Sequence, residues 1–114
     1  MTSLRNSVKL IGHLGADPEM KRFDGGKILA NLSLATSENY KNAKGEKVTT
    51  TQWHKLKVWG KTAEFLEKYT RKGSEIAIEG KLEYRNYEDK DKITRYVTEI
   101  KVNEVLLISK TNAA

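Results

Sequence analysis

The chain contains no cysteine. That excludes disulfides, thiol nucleophiles and Cys-ligated zinc sites, and it fits a reducing compartment. Histidine occurs only as His13 and His54, and no His/Asp/Glu cluster has the spacing of a metal site. Serines are scattered without a partner base. Neither Gly12-His13-Leu14-Gly15 nor Asp24-Gly25-Gly26-Lys27 matches a phosphate-binding loop. The expectation is therefore no catalytic residue, no metal and no cofactor. No apolar run approaches the roughly 18 residues that span a bilayer. Met1 to Ser7 lacks the apolar stretch of a secretion signal, and no basic amphipathic helix points to a membrane surface. Proline occurs once, at Pro18, and no repeat, linker or low-complexity stretch interrupts the chain.

What is present in excess is positive charge. Among 114 residues, 21 Lys plus Arg stand against 15 Asp plus Glu, a formal net charge of +6. A chain this long makes one domain. A small basic domain implies a polyanionic partner, nucleic acid ahead of an anionic membrane, although a moderate charge also serves solubility alone.

The glycines punctuate segments of period-two alternation. Val8 to His13 reads as a first strand, bent or bulged near Gly12 and Gly15. Asp24-Gly25-Gly26 reads as a hairpin turn, Lys27 to Thr36 as a second strand, Ser37 to Val48 as a long flexible loop and Thr49 to Trp59 as a third strand. Helical spacing then covers Thr62 to Tyr69, with Gly73 as the C-terminal cap. Glu75 to Tyr87 and Ile93 to Ile108 read as further strands around a charged loop, Glu88 to Lys92. Three strands, one short helix and two strands is the order of an OB-fold, an all-β five-stranded Greek-key barrel that binds oligonucleotides or oligosaccharides.

The third strand is the most informative. Alternation puts His54, Leu56 and Val58 on one face and Trp53, Lys55, Lys57 and Trp59 on the other. Two ammonium groups cannot enter a dry core without partners, so the indoles share a wet face with the lysines. Indoles stack on any base and lysines track phosphates, which together make a platform for unpaired strands. The alternative is that both indoles cover the barrel end or a subunit contact. On the fourth strand Ile76, Ile78, Leu82 and Tyr84 alternate toward the core, while Lys81, Arg85 and Tyr87 share the other face with Glu75, Glu79 and Glu83. Tyr87 is a second stacking candidate, or an ordinary tyrosine beside a loop. Tyr40, near Lys41 and Lys44, either folds over a base or covers local apolar surface. Phe23, Phe65, Tyr69, Tyr84 and Tyr96 are assigned to core or packing. Lys61, Arg71 and Lys72 flank the helix, as caps or phosphate contacts.

Ordered motifs then become visible: Ile11-Gly12-His13-Leu14-Gly15-Ala16-Asp17-Pro18-Glu19, Ala30-Asn31-Leu32-Ser33-Leu34-Ala35-Thr36-Ser37-Glu38, Thr51-Gln52-Trp53-His54, Trp59-Gly60-Lys61-Thr62-Ala63-Glu64, Tyr69-Thr70-Arg71-Lys72-Gly73-Ser74 and Ile78-Glu79-Gly80. With these, the chain resembles the bacterial single-stranded-DNA-binding proteins from about Asn6 to Ile108. The resemblance implies an OB-fold over residues 1–108, a homotetramer, and sequence-independent wrapping of single-stranded DNA in replication, recombination and repair. It implies a cytoplasmic, nucleoid-associated protein. It places base stacking on Tyr40, Trp53, Trp59 and Tyr87, basic contacts on Lys55, Lys61, Arg71, Lys72 and Arg85, and His54 near the subunit contact. Lys57 joins the basic set from the alternation pattern. Members of that family usually end in an acidic tip with a closing phenylalanine that docks partner proteins. Here no acid follows Glu104 and residues 109–114 form a short remnant, so tail-mediated docking is not expected. The competing readings are a tail-less primosome-type OB dimer, a cold-shock-like RNA binder and, in another class, a nuclease.

Overall fold

Alternation builds the sheet as well as the sequence motifs. Along Ile28–Lys41, Ala30, Leu32 and Leu34 are buried, while the intervening Asn31 and Ser33 are only half-buried. The structure, a computed structural model, describes residues 4–109. Its elements are β1 (Val8–Leu14), β2 (Glu19–Arg22), β3 (Ile28–Lys41), β4 (Lys47–Trp59), α1 (Lys61–Tyr69), β5 (Glu75–Glu88) and β6 (Thr94–Ser109). The strand order is β1-β5-β6-β4-β3-β2, and pairing of β1 with β3 closes the wall. Five strands thus form the closed barrel expected of an OB-fold, and the short β2 flanks β3 outside it.

Closure depends on two joints. At the first, β1 pairs with β5 as far as His13↔Glu75 and from His13 on also with β3 (His13↔Ala35, Leu14↔Leu34). A Cβ on Gly12 would lie 2.2 Å from the Ala35 carbonyl oxygen, so only glycine lets the backbones approach this closely. At the second, β4 and β6 pair in parallel at Leu56↔Ile100 and Lys57↔Lys101. On either side of that contact they diverge.

The core is aliphatic: Leu14, Ala30, Leu32, Leu34, Leu56, Val58, Ile76, Ile78, Ile100 and Val102, capped by Ala63 and Leu66 of α1. The helix packs against β3 and β4. It ends at Thr70, whose N–H donates to the Leu66 carbonyl, and not at Gly73. Gly73 instead has φ 93° in the following turn and donates its N–H to the Leu14 carbonyl.

Three further expectations need correction, and one strand is added. Ser37 to Val48 is not a flexible loop. β3 and β4 continue as a two-stranded arm to Lys41↔Lys47, because Thr49 to Thr51 are β-branched and cross-strand side chains bond, Thr49 Oγ1 to Asn39 Oδ1 at 2.6 Å. Only Asn42 to Glu46 turns, with Asn42 Oδ1 accepting the N–H groups of Lys44 and Glu46. β2 is the added strand, between the first strand and the Asp24-Gly25-Gly26 turn; it is short and mostly exposed, so it carries little apolar signal. Tyr84 does not enter the core: β5 and β6 also run past the barrel as an arm, and Tyr84 and Tyr96 are exposed there. Finally Phe23, Phe65 and Tyr69, also assigned to core or packing, are exposed, with Phe65 and Tyr69 paired on the outside of α1 at 5.0 Å. All nine aromatic side chains of the chain are thus on the surface. The 109–114 remnant lies outside the described residues beyond Ser109, the last residue of β6.

Candidate nucleic-acid interface

The outer face of β4 is as the alternation requires. Leu56 and Val58 are buried, His54 is half-buried, and Trp53 and Trp59 are 62% and 40% exposed. The register explains why this face is open. Trp53, Lys55 and Lys57 stand opposite Ala35, Ser33 and Asn31 of β3, all of them short. The result is a groove of about 570 Å³ floored by β3 and β4, with Asp17, Lys21 and Phe23 along one side and Arg85 and Glu99 along the other.

Local structure seats each indole. Trp53 lies on Gly15, where a Cβ would come within 2.4 Å of the ring. Glycine there permits direct contact between ring and backbone. Trp59 packs against Phe23 of the β2–β3 turn, ring centroids 6.0 Å apart and tilted by 32°. Phe23 therefore links Trp59 to the groove that it lines. The sequence signal was its place beside the Asp24-Gly25-Gly26 turn, which holds it over the last residue of β4.

Glu99 is the residue that sequence reasoning missed. It is the one buried charged residue among the described residues, at 6% exposure, and it lies in the groove. Its Oε1 accepts the Arg85 Nε hydrogen bond at 2.7 Å and sits 3.4 Å from Lys57 Nζ. Burial works against its charge, but the Arg85 hydrogen bond and the charges of Lys57 and Arg85 prevail and hold its carboxyl below the usual range. The same hydrogen bond and charge raise the Arg85 guanidinium above its ordinary value. Arg85 in turn lies 5.7 Å over the Tyr87 ring. The available signal was phase: Glu99 alternates with the inward Ile100 and points the way Lys101 does.

The groove itself gathers Lys55, Lys57 and Arg85; Trp53 adjoins it beside Lys55, Trp59 through Phe23, and Tyr87 through Arg85. The other candidates are apart. Tyr40 is exposed on the β3–β4 arm opposite Val48, and by register it shares the strand side of Leu34 and Thr36, not that of Ser33. Lys61 opens α1 and borders a separate hollow with Phe65 and Asn103. Arg71 and Lys72 lie in the turn after α1, where the Lys72 N–H donates to Asp17 Oδ1 at 2.7 Å and ties that turn to the groove's rim. The His54 ring is bonded to Thr36, Nε2 to Oγ1 at 2.9 Å, at the mouth of the cleft between the two arms.

Among the described residues no three His, Asp or Glu side chains are placed to hold a metal ion. No helix among them is long and apolar enough to cross a membrane.

A family model, the single-strand binding protein family, matches residues 5–108. The chain is similar to the Plasmodium falciparum SSB solved in complex with ssDNA, at 29% identity over 96% of this chain and 98% of that one, with a TM-score of 0.84. It is also similar to a deletion mutant of the single-stranded DNA binding protein from Thermus aquaticus, at 28% identity and a TM-score of 0.78. That match covers 91% of this chain and 50% of the other, so the chain spans about half of that protein's length.

Proposed function

The chain belongs to the single-strand binding protein family, and from that premise we propose that the groove over β3 and β4 is where it holds single-stranded DNA, without regard to base sequence. The observation that carries this reading is one strand face: exposed Trp53 and Trp59 bracketing Lys55 and Lys57. Two exposed indoles on one lysine-bearing strand face are apolar surface of the kind that marks an interaction site. Stacking on each ring contributes about 1–3 kcal/mol and accepts every base, since every base has a π-face. Lys55, Lys57 and Arg85 then neutralise phosphates, which adds affinity without sequence preference. Tyr87 extends the platform along β5. Tyr40, Lys61, Arg71 and Lys72 act further along the strand's path, beyond the groove. The role is binding and protection of the strand in replication, recombination and repair, with no chemistry on it.

Assembly completes the reading. Ile11, Leu106 and Ile108 expose apolar surface on the barrel side away from the groove, and a domain of this size gains stability by covering such surface. We place the contacts of a homotetramer there, with His54 near a further subunit contact. Titrating intrinsic fluorescence with oligo(dT) of increasing length tests the function: strong quenching is expected, with affinity rising as strands become long enough to engage several subunits. Binding that leaves tryptophan emission unchanged would place the DNA elsewhere.

A further inference from the structure

A face that attracts a polyanion has no evident use for a buried acid, yet Glu99 lies in the groove at 6% exposure. Burying a carboxylate is costly unless it is paired, and its two partners are the cations expected to meet phosphate. One of them, Lys57, has a side chain only 23% exposed. Without Glu99, Lys57 and Arg85 would face each other across a shared anion position with nothing between them, and they would repel. The contact to Arg85 uses Nε, one of the five N–H donors of a fork whose remaining four belong to its two terminal nitrogens. Arg85 can therefore keep Glu99 while offering its outer edge to a strand, and it does so from above Tyr87.

We propose that Glu99 is a resident counter-ion of the strand-binding face, which holds Lys57 and Arg85 side by side before DNA arrives and lowers the affinity that these cations would otherwise confer. This rests on the groove being the DNA site. The protein gains a preorganised pair of cations and a strand that can be released, at the cost of part of its attraction for phosphate. In the free protein the acid relieves repulsion between the cations; in the complex a phosphate could do so instead.

Glu99→Gln removes the charge and keeps an oxygen able to accept from Arg85 Nε. A unit charge about 8 Å from a bound phosphate in a half-wet groove is worth about a fivefold change in affinity. Glu99→Gln should therefore bind oligo(dT) about fivefold more tightly at low salt. Its log–log salt dependence should steepen by up to about 0.7, the increment for one more neutralised phosphate on a single strand. A purely structural role would not tighten binding. Equal or weaker binding by the folded variant, or an unchanged salt slope, overturns the proposal. If Glu99→Gln does not fold, the comparison moves to Lys57→Met against Lys57→Met/Glu99→Gln, where the buried pair is replaced by neutral side chains. The double variant should bind more tightly than the single one, and the reverse order rejects the proposal. Failure of the wild-type protein to show tryptophan quenching by oligo(dT) rejects the site itself, and the counter-ion with it.

Discussion

Two sides of one barrel expose apolar surface in different forms. Over β3 and β4 it comes as rings, Trp53, Trp59 and Phe23, interleaved with Lys55 and Lys57. On β1 and β6 it comes as branched aliphatics, Ile11, Leu106 and Ile108, bordered by Lys9, Glu79 and Glu104 of mixed sign. Rings offer flat π-faces and the lysines a net positive field, which suits a charged ligand with bases of its own that arrives and leaves. Aliphatic surface bordered by charges of both signs offers no such handle. It is satisfied by dehydration against a similar surface, as between copies of one chain. The same closed wall thus separates a ring-and-lysine side, proposed to be wet and salt-sensitive, from an aliphatic side, proposed to be covered and dry.

Removing both indoles attacks the first side most directly. Trp53→Ala/Trp59→Ala should lose about 1–3 kcal/mol per stack, about a fivefold to 150-fold weakening for each ring in an oligo(dT) titration. Light scattering should report an unchanged assembly. A double variant that binds like the parent breaks the comparison at its stronger end.

The converse change is Leu106→Asp. It should shift the assembly toward smaller species and reduce affinity for long strands by about tenfold or more, because linked sites no longer act together. Affinity for a strand short enough to occupy one barrel should stay within about twofold. Equal losses on short and long strands would show that the two sides are not separable.

Gly15→Ala is a finer probe of the wet side alone. Its Cβ would meet the Trp53 ring at 2.4 Å, so the indole must move off its seat. Tryptophan emission of the free protein should shift, and affinity should fall by about fivefold to tenfold, part of one stack. Unchanged emission would mean that Trp53 does not rest on Gly15.

The smallest effect is on pH dependence. The Glu99 carboxyl is held below its ordinary value in the folded protein. Its contribution to stability is therefore present above the pKa of the unfolded chain and is lost as pH falls through the lower, folded value. Thermal denaturation should show stability declining below the usual carboxylate range, and Glu99→Gln should flatten that decline. Asp89, held low by the Ile93 N–H and by Arg95, contributes in the same direction and should leave a residual slope.

How far these features were legible varies by element. β4 was readable because Leu56 and Val58 alternate with residues that cannot be buried, so only one register puts apolar atoms inside. The order of strands and helix followed from the same logic. The β3–β4 arm was not readable: Ser37 to Val48 is mostly polar, and its strand character arises from pairing across the arm, which composition does not register. Tyr84 and Tyr96 kept the inward phase of their strands, but the barrel wall that would cover them ends first. Phase alone therefore overstated the core.

The amino-acid order by itself determined the alternation of β4, the aliphatic interior, the excess of positive charge and the family motifs, all of which depend on residues close together in sequence. Tertiary structure alone decided which of those groups meet. Phe23 reaches Trp59 across the β2–β3 turn, Gly15 receives the Trp53 ring from another strand, and Glu99 is buried between side chains of β4 and β5. The physical reason is that burial and charge pairing are properties of the space between strands, and barrel closure creates that space.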